Sequence, residues 1–275
     1  MTMLDLGITG PAQSDYLYHF TGREGRRPDL VPDVIQGMSA QERLDSILRE
    51  GQFRAFPPFG ATTPCVCFSE SPPDHLKYLI GTRRFSPWGI VTHRSTLLTF
   101  GGGSVAYVPD SVYAEFQQAG LGHWSVRTAE GSTWMHEREW RLPRAKGFAG
   151  ISSVQAILVG DISWRPSLVE VGWVDRSTGE PVTGEETSPY AEQVYELPRL
   201  WRESAIWVWD ARAEAVVRYG PGTLSPAGEC SAACSLLRVH VLPCQRGLRG
   251  GPPTDMAPEK RPALSRAPKP AARSR

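Results

Sequence analysis

Apolar residues recur along this chain at strand and helix spacings, and that pattern assigns most of its elements. Tyr16-Leu17-Tyr18-His19-Phe20-Thr21 is a short aromatic run before a Gly/Arg/Pro loop, which predicts a first strand. Residues 41–50 carry Leu44, Ile47 and Leu48 on one helical face and stop at Gly51, the pattern of an amphipathic helix ended by a C-terminal glycine. A Pro/Gly-rich loop over 56–64 leads into an apolar strand over 65–69. Pro72-Pro73-Asp74 then favours a helix start, with Leu76, Leu79 and Ile80 facing inward. Further strands are expected at 88–92 and 105–108, separated by the glycine run 101–103, then at 134–141 and 154–160. Strands with one or two early helices and several long loops predict α+β rather than regular βαβ alternation. Residues 161–219, including Trp207-Val208-Trp209-Asp210, are expected to complete the same domain, so that it covers 1–219. No internal repeat is visible.

Composition divides the chain in two. It has 275 residues, 40% of them hydrophobic, and nine tryptophans, enough for a sizeable core. The formal net charge of +1 hides an asymmetry: residues 221–275 hold 9 Lys/Arg against 3 Asp/Glu, leaving 21 against 26 in residues 1–220. An acidic body argues against duplex binding over a broad basic face. Residues 220–275 read as a basic, Pro/Ala-rich tail with little to bury, for which disorder is expected. No run of 18 apolar residues occurs, and residues 1–11 lack a basic and an apolar leader region, so a cytoplasmic protein without a membrane partner is expected. Five cysteines, an odd number, do not suggest a disulfide framework.

The chemistry concentrates in Trp134-Met135-His136-Glu137-Arg138-Glu139-Trp140-Arg141. Read as a strand, its alternation leans Glu137 and Glu139 into one site. Two carboxylates on one face raise a pKa, a cost that a purely structural strand has little reason to carry. The plain structural alternative is an edge strand whose acids pair with Arg138 and Arg141. Other motifs are weaker. His136-Glu137 lacks the second His of a zinc protease, and the glycine run lacks the Lys-Ser/Thr of a phosphate loop. Cys230, Cys234, His240 and Cys244 are off the spacing of a zinc knuckle, so no metal is expected.

The order of these motifs resembles the ADP-ribosyltransferase fold, over roughly residues 14–160. His19-Phe20-Thr21 looks like the histidine-x-Thr/Ser motif of the poly(ADP-ribose) polymerase branch, and residues 44–51 are similar to the helix after the first strand in DNA-targeting ADP-ribosyltransferase toxins. Residues 66–72 through Tyr78 resemble the polymerases' second motif, and also the Ser-x-Ser motif of the arginine-modifying toxin branch. Glu137-Arg138-Glu139 matches that branch's Glu-x-Glu motif, and the Glu-Trp-Arg ending resembles bacterial proteins linked to abortive phage infection. The resemblance implies a split β-core with few helices around an NAD cleft, and NAD consumed as a substrate. It implies Glu139 as the catalytic acid, Glu137 as its partner, and His19, Thr21, Ser69, Ser71 and Tyr78 as NAD-binding residues. The first-strand residue departs from the pattern, since the double-acid branch normally has Arg there, and Arg23 is a candidate phosphate contact.

The leading expectation is therefore an NAD-dependent mono-ADP-ribosyltransferase, a glycosyltransferase acting as a toxin or phage-defence effector, with an antitoxin as a possible partner. Its acceptor would be DNA, RNA or a protein arginine. The alternative is a non-catalytic binding module of the same fold. A 2′-phosphate transferase ranks last, because it needs more basic motifs than these. For the tail, deletion of residues 221–275 should leave the melting temperature of the body unchanged. Any loss should appear as weaker, salt-dependent association with a polyanion, the salt slope falling by about one for each lost phosphate contact.

Overall fold

Ala156–Val159 is four apolar residues with every side chain buried, a pattern that requires a strand covered on both faces. The computed structural model describes residues 10, 12–23, 31–129 and 134–224; of the tail expected to be disordered, residues 220–224 are ordered, with Leu224 packed against the core, and residues 225–275 lie outside the described ones. In chain order the strands are β1 (Tyr16–Phe20), β2 (Gln52–Arg54), β3 (Cys65–Glu70), β4 (Gly89–His93), β5 (Gly103–Ser104), β6 (Ala106–Val108), β7 (Ser125–Arg127), β8 (Glu139–Pro143), β9 (Phe148–Gly150), β10 (Ala156–Val159), β11 (Val169–Asp175), β12 (Pro181–Val182), β13 (Ala191–Glu196), β14 (Ala205–Asp210) and β15 (Ala215–Tyr219). The helices are α1 (Asp33–Gly37), α2 (Ala40–Glu50), α3 (Pro73–Gly81), α4 (Arg94–Thr99), α5 (Asp110–Gln118) and α6 (Arg199–Glu203).

Eight strands form one mixed sheet in the order β15-β14-β10-β4-β1-β3-β8-β5, in which β10 and β14 are parallel and the other pairs antiparallel. The fold is thus α+β with one large mixed sheet and few helices. On one face, Leu17, Val66, Phe68, Ile90, Trp140 and Ile157 pack in a cluster with Leu44, Ile47 and Leu48 of α2 and Trp201 of α6. Helix α2 forms because its apolar residues recur at helical spacing. Ser39 and Glu42 cap its first turn reciprocally, and Gly51 ends it at φ +64°. The opposite face holds Tyr18, Val91, Leu158 and Trp207 against Leu76 of α3, a helix that Pro72 and Pro73 start.

Two departures from the sequence reading matter. The expected strand at 134–141 begins only at Glu139, because Trp134–Glu137 is a single 3-10 turn. The connection between β10 and β14 forms a three-stranded antiparallel sheet in the order β12-β11-β13, where only strand-like material was expected. Among the described residues, no helix is long and apolar enough to cross a membrane.

Within the sheet, β1 meets β3 over a short ladder. Pairing there is limited to Leu17↔Glu70 and Tyr18↔Ser69, whereas β1–β4 and β3–β8 are each paired over five residues. Beyond Tyr18 the His19 ring bridges instead, its Nδ1 2.9 Å from the Cys67 carbonyl oxygen. On the other side of His19, β4 approaches so closely that a Cβ added at Gly89 would lie 2.2 Å from the His19 carbonyl oxygen. Backbone blocks that space, so Gly89→Ala should destabilise the protein by about 1–3 kcal/mol. Chemical denaturation with an unchanged slope and a lowered midpoint is the expected readout; an unchanged midpoint would show that β1 and β4 can separate without cost.

Candidate active site

The end of β3 and the start of β8 build the site. Register pairs Ser69 with Glu139 and Cys67 with Arg141, so these four side chains share one face of the sheet. Arg141 holds Glu139 in a two-pronged pair, Nε to Oε1 and Nη2 to Oε2, both at 2.9 Å. The side chains are only 4% and 14% exposed, so this pair is largely removed from water. Arg141 Nη1 also donates to the carbonyls of His123 at 2.8 Å and Ser125 at 3.4 Å. Burial works against the Arg141 charge, but the Glu139 carboxylate outweighs it and raises the guanidinium's pKa. Burial, with the Glu139 charge second, also raises the pKa of the Cys67 thiol, which suits a neutral core group rather than a nucleophile. The Glu139 amide donates to Tyr107 Oη at 2.8 Å, and burial pushes that phenol up to about 12.

Glu137 reaches the same region from the Trp134–Glu137 turn. Strand alternation cannot pass through Arg138, whose φ of +46° puts it in the left-handed region. Arg138 instead reaches Glu70 Oε1 at 3.2 Å, while Glu70 also accepts from the Ser14 amide and Trp140 Nε1, both at 3.0 Å. Glu70 is thereby a structural carboxylate. Glu137 pairs with Arg23, whose guanidinium lies over Trp134 at 5.3 Å and Phe85 at 5.8 Å. Burial raises the Glu137 pKa, Arg23 opposes that, and Glu139 adds to it. The mutual effect of two acids is present as the sequence suggests, but desolvation is the larger cause.

The turn is fastened to β3 by short hydrogen bonds. Ser69 Oγ donates to the Glu137 carbonyl at 2.5 Å and lies 3.1 Å from Ser71 Oγ. His75 on α3 has Nδ1 3.2 Å from Ser71 Oγ and Nε2 2.5 Å from the His136 carbonyl. Burial lowers the His75 pKa, while the His136 and Glu70 carbonyls act in the other direction. Burial, with Arg83 second, lowers that of His136 to about 4.

Five of the seven sequence candidates therefore meet: Ser69, Ser71, Glu137 and Glu139, with Tyr78 at the rim, 39% exposed and beside the His75 and His136 rings. Ser69, expected among the NAD-binding residues, donates its hydroxyl to the Glu137 carbonyl. Two candidates are not brought there. Tyr18 is cross-paired with Ser69, so the next residue, His19, faces the opposite side, with its ring 4.9 Å from Phe53 and 5.6 Å from Phe68. Thr21 is buried, its hydroxyl donating to the carbonyls of Ala40 at 2.8 Å and Trp88 at 3.0 Å. Sequence reading offered Arg141 as a partner of the acids only in its structural alternative of an edge strand, whereas here it clamps Glu139 on a strand flanked by β3 and β5. It missed His75, which carried a local signal four residues after Ser71. Tyr107 carried none, since only the fold brings it to Glu139.

Among the described residues, no group of three His, Cys, Asp or Glu side chains is disposed to hold a metal ion. The polar groups that could receive an anionic, aromatic ligand are Arg23 with Trp134, and Tyr78. No protein-family model, curated protein or solved structure matches the chain.

The raised Glu137 pKa gives a pH-dependent prediction. Above the ordinary value of 4.5 an unfolded Glu137 ionises while the folded one still holds its proton, so the fold loses stability as pH rises through that window. Glu137→Gln removes the effect. Paired thermal melts should show the variant gaining on the wild type as pH climbs above 4.5; parallel profiles would mean that Arg23 keeps the carboxylate fully ionised.

Proposed function

We propose that this protein is an NAD-dependent mono-ADP-ribosyltransferase, with Glu139 and Glu137 as its acidic pair. The observation that carries this reading is the convergence of Ser69, Glu137 and Glu139 from two adjacent strands and one turn, beside the cationic and aromatic side chains Arg23, Trp134 and Tyr78. In the reaction the bond between ribose and nicotinamide breaks and a new bond forms from the same ribose carbon to the acceptor. Positive charge builds on the ribose, and a carboxylate fixed beside it stabilises the transition state more than the ground state. Arg141 fixes Glu139 by one hydrogen bond to each oxygen and the Cys67 thiol bonds the same carboxylate, which leaves one lone pair for a ribose hydroxyl. Glu137, with its raised proton affinity, suits the general base that takes the acceptor's proton. Arg23 is placed to meet a phosphate, provided it exchanges Glu137 for that anion.

A second reading has its own support. Neutralisation of Glu139 by Arg141 and the turning away of His19 both favour a non-catalytic module that binds a ligand of the same chemistry without turning it over. Acceptor and biological setting, a toxin or phage-defence effector among the candidates, follow only from the resemblance in sequence.

Nicotinamide release by the purified protein separates the two. Glu139→Gln should keep its fold and lose turnover by on the order of a hundredfold or more, the usual size for a key electrostatic contact. Wild-type turnover in that variant would remove Glu139 from the chemistry, and NAD binding without release in the wild type would favour the module.

A further inference from the structure

His75 is a half-buried titratable group that the proposed chemistry leaves unused, and the hydrogens around it do not balance for a neutral ring. Ser69 has a single hydroxyl proton, which goes to the Glu137 carbonyl oxygen, a group that only accepts. At the contact between the two serine hydroxyls Ser71 must therefore donate. With that proton committed, Ser71 can only accept from His75 Nδ1. At the other end of the ring, Nε2 must donate to the His136 carbonyl. The complete set of contacts requires a proton on both ring nitrogens, which is the imidazolium form.

We propose that His75 is a positioning residue whose protonation closes a latch, running through Ser71 and Ser69, onto the turn that carries Glu137. A neutral ring keeps its proton on Nε2, since the other tautomer would aim a lone pair at the His136 carbonyl oxygen. Nδ1 then accepts, Ser71 turns its proton toward it, and the Ser69–Ser71 contact is left with two oxygens and no hydrogen. The turn stays tied at His136 and loosens at the serine end, next to Glu137.

The groups facing the ring are Glu70 from β3, His136 and Arg138 from the turn and its end, and Tyr78 from the same helix. Arg138 opposes the imidazolium and Glu70 favours it, and these two are paired with each other. His136 stays neutral down to about 4 and does not compete. Burial places the His75 transition below its ordinary value of 6.5, so the latch closes only on the acid side of neutrality. The same burial makes protonation unfavourable to the fold as a whole. Stability that is present at neutral pH falls as pH drops below 6.5, even while the latch closes. Global melting is therefore the wrong readout, and local protection is the right one.

The test is amide hydrogen exchange of residues 134–140 in wild type, His75→Gln and Ser71→Ala, compared at matched pH between about 5 and 8 so that the intrinsic pH dependence cancels. Wild type should gain protection over both variants as pH falls, on the order of threefold to tenfold, the scale of one hydrogen bond in a charged network. A wild-type-to-variant ratio that stays constant with pH overturns the latch. Ser71→Ala cuts the chain while leaving the imidazole and its Nε2 bond to the His136 carbonyl in place, so if His75→Gln unfolds, Ser71→Ala decides alone. The benefit to turnover rests on the transferase reading, but exchange needs no NAD. Protection that varies with pH in a protein that releases no nicotinamide would sink the transferase and keep the latch; turnover with a constant ratio would do the reverse.

Discussion

The buried pair of Glu139 and Arg141 is the constraint around which one side of this molecule is arranged. Taking both charges out of water costs several kcal/mol each, so the pair persists only if its geometry is good and the remaining donors find partners. Arg141 meets the first requirement with its two-pronged grip, and the second by reaching the carbonyls of His123 and Ser125. Those carbonyls belong to a segment outside the large sheet, where β7 pairs in parallel with β6 and α5 packs beside them. Tyr107 on β6 takes the amide of Glu139. The excursion between β5 and β8 thus supplies the acceptors and the phenol that let a charged pair exist on β8.

Next to this fixed pair lies a turn of a different character. Three acids, Glu70, Glu137 and Glu139, come within a few residues of one another across β3 and β8, and each has a different cation: Arg138, Arg23 and Arg141. Arg138 separates them, because its left-handed backbone ends the turn and sends its side chain to Glu70. Glu139 is held on a strand. Glu137 is held through its own backbone carbonyl, by a serine. One acid is therefore rigidly set, and the other can shift with the turn, a division that suits one group that stays and one that responds to what binds.

Most of the sheet was legible in the sequence because its strands are apolar runs bounded by Gly and Pro, as at 65–69 and 154–160. Helix α2 was legible from Leu44, Ile47, Leu48 and its terminal glycine. At the site, Glu139, Ser69 and Tyr78 could be picked out by local pattern. The failures share a physical origin. Alternation at 137 and 139 suggested a strand because nothing in the identity of Arg138 announces a positive φ. His19 was a candidate through its likeness to the histidine-x-Thr/Ser motif, but the side it faces is set by the pairing of Tyr18 with Ser69, which no local pattern encodes. The three-stranded sheet between β10 and β14 stayed unread because its strands are largely exposed, with Val171 and Tyr195 about half open to solvent, and so lack a clean apolar face.

That small sheet bears on how the chain assembles. β10 and β14 are the one parallel pair in the large sheet, and residues 160–204 lie between them. Closing so long a loop costs entropy before any pairing compensates it, whereas β14–β15 and β11–β12 close over short turns. Folding kinetics should accordingly be governed by the moment at which Ile157 and Leu158 find Ile206 and Trp207. A three-stranded sheet formed before this encounter would shorten the effective loop that must close, so an element far from the acids would help to set the rate at which their sheet is completed.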